Sequence, residues 1–187
     1  MARVVVTEFV SLDGVMEDPG GGEDFEHGGW SFAFDRGDEG NAFKTGETMD
    51  AAAMLLGRRT YEGFAAAWPG RSGEFADKFN GMPKYVVSST LENPEWGGTT
   101  VLRGDLAEAV GRVKEQHEEH LIVHGSAQLV HELLELDLVD ELRLMVFPVV
   151  LGKGKSLWGP TSGQRTFKLT ESATVGEGVL TLVLQKV

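Results

Sequence analysis

From residue 3 to residue 136 the chain alternates between short runs of β-branched and aliphatic residues and segments with apolar residues at helical spacing. This alternation constrains the fold more than any other feature. A strand that returns through a helix runs parallel to its predecessor, with the helix covering one face of the sheet. "RVVVTEFV" (3–10) reads as the first strand, followed by a Gly- and acid-rich loop, 11–32, too long for an idle connection. "NAFKTGETMDAA" (41–52) predicts a helix, "AMLLG" (53–57) a buried strand, and "RRTYEGFAAAW" (58–68) a helix stopped by Pro69. A short helix "EFADKFN" (74–80), the strand "KYVVSS" (84–89) and the strand "TTVLR" (99–103) come next. Helix 105–116 takes Asp105 as its N-cap, and strand 120–124 leads into helix 126–136.

Beyond residue 140 the alternation stops. "DELRLMVFPVVLG" (140–152) predicts one long strand, with Pro148 pointing to an edge position or a bulge. "TFKLTESATVGEGVLTLVLQKV" (166–187) predicts an antiparallel hairpin turning near "GEG". The expected architecture is a single domain, 1–187, built on a mostly parallel mixed sheet, covered on both faces and closed by antiparallel strands.

In open α/β sheets ligands lie beyond the carboxyl ends of the strands, and three junctions there carry the right residue types. At "LLGRRTYE", Gly57 precedes Arg58 and Thr60 at a helix start, where free N–H groups, a guanidinium and a hydroxyl suit a phosphate. Packing, with Thr60 as a cap, explains the same residues. At "VVSSTL", Ser88 and Ser89 bind an anion or satisfy turn amides. At "LIVHGSAQLV", Gly125 lets the backbone approach a ligand and Ser126 caps a helix or binds an anion. A net charge of −12 argues against nucleic-acid binding and makes arginines at these junctions more telling. The absence of cysteine excludes disulfides and Cys-ligated zinc, and the scattered histidines make no metal site. No apolar run approaches the roughly 20 residues of a membrane helix, so a cytoplasmic protein is expected.

Together "SLDG", "GRRTYE", "VVSS", "VHGSAQLV" and "VDELRLMVFPVVLGKGKSLW" resemble the dihydrofolate-reductase-like family, in the branch that contains the reductase domain of riboflavin biosynthesis. The resemblance implies a three-layer α/β/α fold and an NADPH-dependent reductase, frequently a homodimer. It implies that Gly57, Arg58 and Thr60 hold cofactor phosphates and that Ser88 and Ser89 lie near the 2′-phosphate. It places the pyrophosphate on Gly125, Ser126, Ala127 and Gln128, and Ser11, Asp13 and Gly14 beside nicotinamide and substrate. Asp13 is the expected polar catalytic group, and Trp30 either stacks on a planar substrate ring or closes a small hydrophobic cluster in its loop. The chain departs from the pattern at three places. Gln128 replaces an arginine, Val123 and His124 stand where riboflavin reductases carry glutamate, and Asn41 occupies the place of the pterin-protonating carboxylate.

The implied acceptor is the ribosylamino intermediate of riboflavin synthesis or a related small molecule. A non-catalytic NADP-binding protein on the same fold is the alternative. On the phosphate reading, Gly125→Ala spares the apo fold and weakens NADPH. The apolar strand 142–151 is the expected contact of a homodimer.

Overall fold

The structure is a computed structural model that describes residues 1–159 and 163–187. Its strands are β1 Val4–Ser11, β2 Ala53–Gly57, β3 Lys84–Val87, β4 Thr99–Leu102, β5 Leu121–Val123, β6 Glu141–Phe147, β7 Phe167–Val175 and β8 Val179–Lys186. They form one eight-stranded sheet in the order β4-β3-β2-β5-β1-β6-β8-β7. The first six strands in that order run parallel, and β8 and β7 close it as an antiparallel hairpin. The helices are α1 Gly37–Met49, α2 Arg58–Ala67, α3 Glu74–Gly81, α4 Leu106–Glu115 and α5 Ala127–Glu135. Asp105 caps α4 as expected, its carboxylate accepting from the Glu108 N–H at 2.9 Å.

Alternation along the strands divides the core. Val4, Val6, Val123 and Leu142 face α4 and α5, where Val110, Val113, Leu129, Val130 and Leu133 meet them. On the other face Met54, Leu56, Val86 and Ile122 pack on Tyr61 of α2 and Phe79 of α3. Further along that face, Met145 and Phe147 join Val175, Val179 and Trp30, with Phe43 of α1 against them. These are the three layers of a dihydrofolate-reductase-like α/β fold.

One strand differs from its sequence reading. β6 stops at Phe147, before Pro148, and it is an interior strand between β1 and β8 rather than an edge. An interior strand needs N–H groups toward both neighbours, and proline has none. The chain therefore leaves the sheet, and Leu12 donates across to the Val149 carbonyl at 2.8 Å. That contact fixes the loop after β6 against the loop after β1.

Candidate functional site

β2 and β5 are neighbours, so the helices that follow them begin side by side. The Gly57 N–H donates to the Gly125 carbonyl at 3.1 Å and ties the two junctions together. Gly57 has ordinary extended angles, yet a Cβ there would stand 2.9 Å from the Ser126 nitrogen and 3.0 Å from its Cβ. Gly125 has φ +103°, which disfavours any side chain, and a Cβ there would meet Thr60 Oγ1 at 3.1 Å. The peptide that follows it is cis. Neither α2 nor α5 has a side-chain cap, and neither has an acidic residue in its first turn. Two helix N-termini thus stand side by side, with no side chain capping their first N–H groups.

Gly57, Thr60, Gly125, Ser126 and Ala127 are thus brought together, as the sequence predicts. Two charged or polar neighbours are engaged elsewhere. Arg58 pairs with Glu62 along α2 at 2.8 Å, and Gln128 donates to Glu132 along α5 at 3.1 Å. One strand further out, Gly57 is level with Val87, so Ser88 follows beside Arg58. The Ser88 hydroxyl accepts from the N–H groups of Thr90 and Leu91 at 3.1 and 3.0 Å, closing a turn. Arg103, at the end of β4, donates to the carbonyls of Ser89 and Leu91 at 2.7 and 2.6 Å. Its guanidinium is the cation at this junction that the sequence reading omitted. The signal was there: "TTVLR" ends on an arginine, and β4 lies next to β3.

The turn after β1 is differently used. Ser11 is buried, donates to Asp13 at 2.6 Å and accepts from the Val15 N–H at 2.9 Å. Asp13 also accepts from the N–H groups of Leu151 and Gly152 at 3.1 and 2.7 Å. These bonds, led by the Ser11 hydroxyl, lower its pKa from 3.8 to about 2. A carboxylate held ionised by three donors is a lock between two loops, and proton delivery finds little support in its surroundings. Trp30 is not open to a substrate ring. It is 7% exposed, donates to the Glu17 carbonyl at 2.8 Å and meets Phe147 edge-on, because its ring closes the cluster beneath the long loop.

Two polar groups at the strand ends have no internal partner. Glu8 Oε1 and His124 Nε2 are both buried without a hydrogen bond. Glu8 follows the β1–β5 register to lie level with Gly125, and its Oε1 stands 3.6 Å from where a Cβ of residue 125 would be. Burial raises its pKa well above the carboxylate range, more than the Lys44 charge lowers it. His124 lies edge-on to Phe64 and Phe79, and burial pushes its pKa well below the usual imidazole value. On the same face Thr7 donates to Glu47 and accepts from Lys44, both at 2.6 Å, and Lys44 pairs with Glu47. Glu8 was legible only as an acidic residue inside an apolar strand.

A model of the RibD C-terminal domain matches residues 2–181. The chain belongs to the RibD C-terminal domain family. YyaP of Bacillus subtilis strain 168, itself uncharacterized, is 26% identical, covering 97% of this chain and 93% of its own. A Shewanella sp. PV-4 protein assigned provisionally to riboflavin biosynthesis superposes with TM-score 0.79 at 20% identity, covering 100% of this chain and 99% of that one. RibD of Acinetobacter baumannii superposes with TM-score 0.68 at 15% identity, this chain covering 58% of it. Those two likenesses carry the fold. Membership of the RibD C-terminal domain family supports a reductase of the riboflavin-pathway type. Among the described residues no group of acidic and histidine side chains is arranged to hold a metal, and no helix is long and apolar enough to cross a membrane.

Proposed function

We propose that this RibD-type domain is an NADPH-dependent reductase of a small ribosylamino-pyrimidine or a related carbonyl or imine, working in the cytoplasm as a homodimer. The paired, uncapped starts of α2 and α5 carry the reading. Gly57 and Gly125 bring them so close that a Cβ at either would intrude on the cradle, and two helix dipoles act on one anion. A pyrophosphate fits this donor set, with Thr60 and Ser126 hydroxyls at its rim. The adenosine end then runs toward β3 and β4, where Arg103, Ser88 and Ser89 meet a 2′-phosphate. When bound, NADPH supplies the hydride that such a reduction needs. The protein's part is to hold that group beyond the end of β1 and to keep the site dry.

Titration calorimetry with NADPH and NADH tests this. Wild-type protein is expected to bind NADPH more tightly. Arg103→Ala should cost about 1.5–3 kcal/mol toward NADPH, the range of a charge-assisted hydrogen bond, and little toward NADH. Arg58→Ala, at the start of α2 beside the proposed pyrophosphate rather than the 2′-phosphate, should change both affinities alike. No binding of either nucleotide overturns the reading.

A further inference from the structure

The strand order gives a direction across the site. Beginning at the edge it runs β4, β3, β2, β5, β1. If Arg103 and Ser88 take the adenosine end and the β2–β5 junctions take the phosphates, the next group along the ligand meets the carboxyl end of β1. Glu8 is there.

Three observations describe what Glu8 presents. Its Oε1 is buried and accepts no hydrogen bond. It lies level with Gly125, at the edge of the cradle, with Thr60 Oγ1 and Met16 Cε grouped around the same point at 3.1 and 3.8 Å from a virtual Cβ. Burial raises its pKa well above 4.5, outweighing the Lys44 charge, and Glu47 pushes in the same direction, so its surroundings favour the neutral carboxyl. Leaving such a group unpartnered costs stability, so its position suits a ligand that satisfies it. A neutral carboxyl offers one O–H donor and one carbonyl acceptor side by side. A primary carboxamide offers N–H and carbonyl in the complementary order. The two form a closed pair of hydrogen bonds with no net charge.

We propose that Glu8 is the receptor for the carboxamide of the nicotinamide ring, donating its O–H to the amide oxygen and accepting from the amide N–H. The proposal rests on the NADPH reading. It makes Glu8 a positioning and selectivity residue that sets which way the ring lies over β1.

The test compares NADPH with 2′-phospho-ADP-ribose, which has the same phosphates and no nicotinamide. By calorimetry, Glu8→Leu should weaken NADPH by about tenfold or more and leave the fragment unchanged, which also reports that the cradle is folded. Glu8→Gln keeps a donor beside an acceptor and should stay within about threefold of wild type for both ligands. By infrared difference spectroscopy, the neutral carboxyl band should shift when NADPH is added to wild type and be missing in Glu8→Gln, a readout that survives if the leucine variant does not fold. Unchanged NADPH affinity in Glu8→Leu, equal loss of both ligands, or a carboxyl band indifferent to NADPH overturns the proposal. Wild-type protein that binds neither ligand overturns the NADPH reading with it, whereas fragment binding with no Glu8 effect overturns this step alone.

Discussion

Asp13 and Glu8 are two acids at the end of one strand, and their surroundings drive them apart. Asp13 is surrounded by donors, the Ser11 hydroxyl first and then the Gly152 and Leu151 amides, which hold it ionised. Its folded-state pKa is depressed, so its contribution to stability is fully present above 3.8 and is lost as pH falls through about 2. Asp13→Asn should therefore lower the denaturant midpoint at neutral pH, and the gap to wild type should narrow as the acid limb is entered. A midpoint equal to wild type at pH 7, with hydride transfer abolished, would return Asp13 to a catalytic role. Glu8 has the opposite sign. Its raised pKa contributes stability that is present below the ordinary value of 4.5 and lost as pH rises through the folded value. Lys44 and Glu47 are the charges that act on it, and both belong to α1. Glu8→Gln cannot ionise, so its melting temperature should decline less than that of wild type as pH rises above 4.5. Parallel declines measured by calorimetry would show that the buried carboxyl is not what titrates.

At the scale of elements, Gly57 and Gly125 separate two demands that the sequence alone leaves joined. Gly125→Ala is expected from sequence to spare the apo fold, and the structure reverses that expectation. With φ +103° an alanine is strained whether or not a ligand is present. Gly57 has φ −76° and ψ 156°, which alanine adopts freely, so its constraint is only the approach of Ser126. Gly57→Ala should push the starts of α2 and α5 apart, weaken NADPH by about tenfold or more, and lower the apo melting temperature less than Gly125→Ala does. The reverse ranking in thermal melts would mean that the junction is held by packing across Gly57. The sequence showed these junctions because strand, glycine and helix start are local signals, and Asp105 was legible as a cap for the same reason. From the sequence Trp30 stays open between stacking and burial, and Pro148 is misread, because their meaning depends on distant neighbours. A loop tryptophan stacks or buries according to whether Phe147 lies beneath it. A proline marks an edge or a strand end according to how many strands flank it. Arg103 joins Ser89 across 14 positions, a contact that no local pattern states.

For the whole molecule, the open question of the sheet is its β7 end. The sequence points to strand 142–151 as the exposed hazard, but β6 is covered by β1 and β8, and the edge at this end of the sheet is β7, with β4 at the other. All but the ends of β7 are exposed. Leu169 is level with Leu184, and Leu180 and Leu182 continue along the same face of β8, opposite Val146 and Leu144 of β6. Leu169 is 51% and Leu180 39% exposed, which leaves an apolar stripe beside α5 that a second copy would cover. On the proposed homodimer, this stripe rather than the body of β6 is the contact. Leu169→Glu combined with Leu180→Glu should convert a dimer at micromolar concentration into a monomer by light scattering. Neither side chain is core, so each change should cost the monomer no more than about 0.5 kcal/mol, the range of exposed substitutions. In the sheet order β5 lies three strands and β2 four strands from β8, so 2′-phospho-ADP-ribose affinity should survive in the monomer. A wild-type protein that scatters as a monomer, or a double variant that remains a dimer, would place the contact elsewhere or remove it.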